Sequence, residues 1–210
     1  MDLYIVGAGN VGGFVAYHAN EMGEYNVIGF IDDDKSKIDK TFYGYNVVGF
    51  LDTLLKVKKK SVVAIAIATP KVRKKIFEIL VKNNNLSFPN FIHPNAWICK
   101  TINLGIGNII YPGVVINYET KINNFCILNL NSTLGHNCDL EDYVTLSPSV
   151  NLGGFSHIKK SSFIGIGTSM IQGLSIGNES VIGAGTVIIR DIPDYAVAVG
   201  NPARIIKYKK

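Results

Sequence analysis

Leu128-Asn129-Leu130-Asn131-Ser132-Thr133-Leu134-Gly135-His136-Asn137-Cys138-Asp139-Leu140-Glu141-Asp142-Tyr143-Val144-Thr145-Leu146 carries an aliphatic side chain at every sixth position: Leu128, Leu134, Leu140 and Leu146. Followed outward in steps of six, the frame runs without a slip from Ile92 through Ile98, Leu104, Ile110, Ile116 and Ile122, and onward through Leu152, Ile158, Ile164, Met170, Ile176 and Ile182 to Ile188. Four residues after most of these comes a small or β-branched residue, such as Ser132, Val144, Val150, Ser156 or Thr168; Ile102, Asn108 and Leu174 depart from this. A period of six fits no helix, but it contains the strand period. The small residue stands two positions before the next aliphatic, so both face the same side of a short strand. Glycine often follows the aliphatic (Gly105, Gly135, Gly153, Gly165, Gly177, Gly183), and is read here as permitting a sharp corner. Three hexads close a coil of eighteen residues that stacks by parallel hydrogen bonding on the next. The pattern predicts a left-handed parallel β-helix, which with a C-terminal extension makes up a domain of residues 91–210.

Residues 1–90 follow another grammar. Leu3–Val6 is a short apolar strand, followed by the turn Gly7-Ala8-Gly9-Asn10-Val11-Gly12-Gly13 and a helical stretch to about Met22. Tyr25–Ile31 predicts a second strand ending in Asp32-Asp33-Asp34-Lys35. Asn46–Phe50 predicts a short strand, 52–59 a helix, Val62–Ala68 a buried parallel strand and Lys71–Lys82 a basic amphipathic helix. Alternating strands and helices predict a small α/β, Rossmann-like domain. Leu86–Phe91, with Pro89, is the expected joint.

Composition narrows the class of function. The 210 residues are 47% hydrophobic and only 18% charged, which excludes a disordered chain. The longest apolar run, Val62–Ala68, falls well short of the roughly 18 residues of a membrane span. The opening Met-Asp-Leu lacks a basic stretch and an apolar signal core, so a cytoplasmic protein is expected. Cys99, Cys126 and Cys138 form no CxxC motif, which suits a reducing compartment. The net charge of +5 is spread over both halves, and Lys71, Arg73, Lys74 and Lys75 are read as a solvated helix face. With no reading motif or aromatic partner for a basic patch, no nucleic-acid partner is expected.

Two constellations could carry chemistry. Gly7-Ala8-Gly9-Asn10-Val11-Gly12 matches GxGxxG between a strand and a helix, with Asp32 beyond it. Glycine lets the backbone approach phosphates at a helix N-terminus. A nucleotide with Asp32 or Asp33 on its ribose or base is favoured over NAD, because the domain is small for a dinucleotide; a purely structural turn is the alternative. The second constellation is His136. It projects from the prism one coil below Gly153-Gly154, about 4.8 Å away. A base beside exposed backbone N–H groups is what acyl transfer needs. His18 and His93 are read as structural and His157 as a surface residue. No His, Cys and Asp spacing in a common motif indicates a metal, and no GxSxG elbow indicates a nucleophile, so direct transfer through a general base is expected.

These residues, with Asp191-Ile192-Pro193 and Gly200-Asn201-Pro202-Ala203 near the end, resemble the bacterial sugar O-/N-acyltransferases, which include nucleotide-4-amino-sugar N-acetyltransferases and sialic acid O-acetyltransferases. The resemblance implies a homotrimer that uses acetyl-CoA to acetylate the amino group of a UDP-, dTDP- or GDP-linked amino-deoxy sugar for surface glycans. It places the nucleotide sugar at Gly9, Asn10, Val11, Asp32, Asp33 and Ala68, the base at His136, and acetyl-CoA at Thr145, Gly154, Ile166 and Ala184. An O-acetyltransferase of the same fold is the first rival reading, and a non-catalytic β-helix binding module the second. Where such enzymes commonly carry an acidic residue after the histidine, this chain has Asn137, and where some carry a second histidine it has Thr145. Glu119 stands one coil below Asn137 and is expected to supply the missing carboxylate to His136, directly or through Asn137.

Overall fold

The computed structural model describes residues 1–209 and divides them into two compact units, Met1–His93 and the residues from Pro94 onward. The division falls three residues beyond the boundary expected at 90/91.

The first unit is an α/β layer. Its elements are β1 (Asp2–Val6), α1 (Asn10–Met22), β2 (Asn26–Ile31), β3 (Thr41–Phe42), β4 (Tyr45–Gly49), α2 (Leu51–Leu55), β5 (Ser61–Ile65), α3 (Pro70–Leu80) and β6 (Leu86–Ser87). The sheet order is β3-β4-β2-β1-β5-β6, parallel except for the β3–β4 hairpin. Leu3, Ile5, Phe30, Ile31 and the whole of β5 are buried, as a parallel sheet covered on both faces requires. Several boundaries differ from expectation. β3 was not foreseen, because its turn residues Tyr43 and Gly44, both at positive φ, interrupt no apolar run. α2 ends at Leu55, and the lysines after it lie outside the helix. Leu86–Ser87, expected as linker, adds a strand beside Ser61–Val62. Arg73 is the clearest correction. It is 0% exposed, and its guanidinium donates to the carbonyls of Ile67 and Ala68, so it fixes the loop after β5 where a solvated face was expected.

The second unit is the expected left-handed β-helix. Up to Ile188 its two-residue strands form three parallel ladders in which each residue pairs with the one eighteen positions on, as in Thr133↔Asn151, Asp139↔His157 and Thr145↔Phe163. In the last turn Val181 pairs with Val197 and Ile182 with Ala198, sixteen on, before Ala196–Val199 pairs antiparallel with Arg204–Tyr208. The aliphatic frame lies inside: Ile116, Ile122, Leu128, Leu140, Leu146, Ile158, Ile164, Ile176 and Ile188 are all fully buried. The small polar residues of the repeat are buried beside them and serve the corners. Ser132 Oγ donates to Asn129 O, Ser156 Oγ to Gly153 O, and Thr168 Oγ1 to Gly165 O, at 2.7–2.8 Å. A hydroxyl buried without such a bond would cost about 1–3 kcal/mol.

The corners correct one expectation. Positive φ falls three residues after the aliphatic, at Glu119, Phe125, Asn131, Asn137, Tyr143, Ser149, Phe155 and Ser161, rather than at the glycines that follow it directly. Gly135 and Gly153 have a different task. A Cβ on Gly135 would stand 2.5 Å from Gly154 N, and one on Gly153 would stand 2.6 Å from Gln172 N. These glycines are room for the next coil rather than hinges.

Candidate active site

In the β-helix unit, the row of stacked corner positions formed by Tyr118, His136 and Gly154 brings the base and the notch together. The His136 imidazole lies flat on the Tyr118 ring, with centroids 5.2 Å apart and planes within 6°, and meets the exposed Phe155 ring edge-on at 5.0 Å. Gly154 faces the same ring: a Cβ there would come within 2.9 Å of His136 Cε1 and Nε2. The glycine therefore keeps open the space directly against Nε2. On the other side of the ring, Nδ1 lies 3.0 Å from Asn137 Oδ1. Asn137 sits at φ 55°, a conformation that asparagine tolerates well.

Glu119, expected to act on His136 directly or through Asn137, makes no direct hydrogen bond to the imidazole. Asn137 meets the imidazole itself, and the position one coil below His136 belongs to Tyr118. Glu119 is exposed, and its amide turns toward Thr101 Oγ1 in the coil beneath. Cys138 is no rival nucleophile. Its thiol donates to Gly153 O, and burial pushes its ionisation up. His157 pairs with Glu141 at 2.9 Å, away from this row.

Of the four residues expected at acetyl-CoA, Gly154 lies against His136 as described. Ile166 and Ala184 are exposed neighbours one coil apart in another row. Thr145 is only 4% exposed and lies in a ladder strand, so it does not join that surface.

In the α/β unit, the ends of β1, β2 and β5 open into two adjoining cavities that share Gly7, Asp32 and Ile67, the place where open parallel sheets bind ligands. The first, about 220 Å³, has apolar walls from Val6, Ile31, Leu51, Ile67, Val72 and Ile76, with Asp33 at its rim. The second, about 320 Å³, is lined by Gly9, Asn10, Val11, Ala66 and Ala68. All six residues expected at the nucleotide sugar thus line one cavity or the other. Gly7, at φ +104°, and Gly12, where a Cβ would run into the Gly7 carbonyl, keep the turn tight against α1.

Asp32 holds this region together. It accepts from the Ala8 N–H at 2.9 Å, from the Asp34 N–H at 3.0 Å and from Lys37 Nζ at 2.8 Å. Burial opposes its ionisation, but these donors outweigh it and hold the carboxyl below the usual carboxylate range. Asp33 Oδ1 accepts from the Leu51 N–H at 2.8 Å, at the start of α2. Lys37, which also lines the second cavity, was missed in the sequence. The signal was there in the capping Asp34: its carboxylate accepts from the Ser36 N–H and folds 35–37 into a tight turn. That turn brings Lys37 back to Asp32.

Residues 2–80 match the PglD N-terminal domain. The chain is 31% identical over 219 aligned positions to GDP-perosamine N-acetyltransferase of Escherichia coli O157:H7, covering 99% of this chain and 97% of that one. It belongs to the bacterial nucleotide-sugar N-acetyltransferases. Among solved structures, PerB of Caulobacter crescentus in complex with CoA and GDP-perosamine superposes with a TM-score of 0.92 at 30% identity, covering 99% of this chain and 98% of PerB. The acetyltransferase domain of PglB from Neisseria gonorrhoeae FA1090 in complex with acetyl coenzyme A gives 0.90 at 28% identity, covering 98% of each. This acetyltransferase, like its relatives, takes its acyl group from acetyl-CoA. No helix among its described residues is long and apolar enough to cross a membrane.

Proposed function

We propose that this acetyltransferase acetylates the amino group of a GDP-linked amino-deoxy sugar, with His136 as general base and no covalent enzyme intermediate. The observation that carries the chemistry is the two-sided setting of the imidazole: Asn137 Oδ1 on Nδ1, and the open Gly154 face against Nε2. With an amide oxygen as its partner, Nδ1 carries the proton and Nε2 the lone pair. The sugar amine attacks the thioester carbonyl of acetyl-CoA while Nε2 accepts the proton the amine loses. The tetrahedral intermediate then expels the CoA thiolate, which takes that proton from the imidazolium. The Gly154 N–H donates to no acceptor among the described residues and is available to the oxyanion. The stacked Tyr118 ring keeps the imidazole from swinging toward the coil beneath.

The nucleotide is assigned to the α/β unit, with its base in the apolar cavity and its diphosphate at the glycine turn near Lys37, where N–H groups and a cation favour an anion. GDP is preferred because two relatives matched over nearly their whole length carry GDP-perosamine in their names or complexes. The reading includes a cytoplasmic homotrimer, the assembly implied by the family resemblance.

The test is thiol release from acetyl-CoA with GDP-, UDP- and dTDP-linked amino sugars, each beside its hydroxyl counterpart. His136→Ala is expected to lower kcat about 100-fold or more, the usual contribution of a general base. Near-normal turnover in a folded variant would overturn the role of His136, and preference for a UDP or dTDP sugar would overturn the nucleotide. Sedimentation of the native protein as a monomer would overturn the trimer.

A further inference from the structure

Three side chains of the α/β unit converge without any part in the chemistry above. His18 and Glu21 lie one turn apart on the same face of α1, and His93 is the last residue of the unit. Glu21 reaches both imidazoles with separate oxygens, Oε1 at 2.8 Å from His18 Nδ1 and Oε2 at 3.3 Å from His93 Nε2. The rings meet edge to face, with centroids 4.9 Å apart, and Phe14 packs on both, 5.0 Å from His18 and 6.2 Å from His93. The His93 side chain is only 6% exposed, while Glu21 is 51% exposed, so the cluster has a buried floor and an open mouth.

The geometry points to a divalent metal site of the zinc type, with His18 Nδ1, Glu21 and His93 Nε2 as its three protein ligands. One ligand atom from each residue lies within 4.8 Å of the other two. In a tetrahedral zinc site with bonds near 2.0–2.1 Å, neighbouring donors stand about 3.4 Å apart. Rotation of the two outer side chains, His18 and Glu21, is enough to close the set around an ion while His93 stays fixed. Two imidazoles and a carboxylate suit Zn²⁺, Co²⁺ or Ni²⁺, whereas Mg²⁺ and Ca²⁺ favour all-oxygen shells. The fourth position faces the open side and takes water. The ion replaces the protons now shared between the carboxylate and the ring nitrogens, and it cross-links the last turns of α1 to the chain after β6. Its effect is on stability, and acetyl transfer proceeds without it.

The experiment uses full-length, tag-free protein stripped with a chelator, titrated with Zn²⁺ by calorimetry and with Co²⁺ by visible absorption. One Zn²⁺ per chain, a Tm that rises with zinc concentration and a tetrahedral Co²⁺ spectrum are expected. His18→Ala and Glu21→Gln, both at partly exposed positions, should each weaken binding about ten-fold or more while leaving the metal-free Tm close to that of the parent. No heat of binding, or an affinity indifferent to both substitutions, would overturn the site. None of these readouts depends on turnover, so they stand apart from the fate of His136.

Discussion

Asp32 in the α/β unit and His136 in the β-helix are both polar residues singled out by the sequence, yet their surroundings differ in kind. Asp32 spends its two oxygens on Ala8, Asp34 and Lys37, all within its own unit. His136 spends one nitrogen on Asn137 and keeps the other against open space maintained by Gly154. A side chain whose hydrogen-bonding capacity is consumed by the fold is an organiser: it shapes the surface that a ligand meets. A side chain left with one unspent atom in a defined direction is a reagent. Substitutions at the two residues should therefore fail differently, one in binding and stability and the other in turnover.

The sharpest break is Gly154→Val. Its added carbons enter the space against His136 Nε2, so a loss of turnover of about 100-fold, comparable to deleting a base, is expected with little change in Tm. Measured kcat close to the parent's would mean that Nε2 is not the working atom. Asp32→Asn is expected to raise the KM for the nucleotide sugar about ten-fold and to cost about 1–3 kcal/mol in urea unfolding, because hydrogen bonds to an ion are lost. Since the folded carboxyl titrates below its unfolded value, its contribution is present at neutral pH and drains away as pH falls through the folded value. The variant should lack that acid-dependent part, and an unchanged stability–pH curve would strip Asp32 of its organising role. Asn137→Asp places a carboxylate beside Nδ1 and should move the acidic limb of the kcat/KM profile to higher pH, with a several-fold change in rate. A limb that stays put would uncouple residue 137 from the base. Glu119→Gln should do least, leaving the profile superimposable on the parent's; a shifted limb would restore the carboxylate relay that the structure does not show.

The β-helix is legible because burial in it is periodic: every aliphatic of the frame from Ile110 to Ile188 is buried, the half-buried Ile92, Ile98 and Leu104 belong to the open first coil, and repetition removes ambiguity. The corners are less legible because glycine is not the only mark of positive φ: Asn131, Asn137, Tyr143 and Phe155 adopt it here. His136 and Gly154 could be paired from the eighteen-residue step alone, but the step could not say which neighbour would turn toward the ring, and Asn137 won over Glu119. In the α/β unit the glycine turn and Asp32 were visible in sequence, whereas Lys37 and the buried Arg73 were not. Their partners, a carboxylate five residues back and two backbone carbonyls, depend on how a loop closes. The same limit hid the cluster of His18 and Glu21 with His93, whose third member lies far along the chain.

The pairing of each strand with the one eighteen residues on, held from Trp97 to Ile188 and shortened to sixteen only in the last turn, has an evolutionary corollary. Deleting or duplicating one whole coil keeps every aliphatic pointing inward and every corner hydroxyl under its carbonyl. An odd-numbered indel inside a strand reverses the faces of all that follows within that coil, because successive side chains alternate. Length in this part of the molecule is therefore quantised. Descendants of this chain can grow or shrink the prism in steps of one turn, and finer changes in length belong to bulges at the corners or to the open end, where the last turn of this chain is already two residues short.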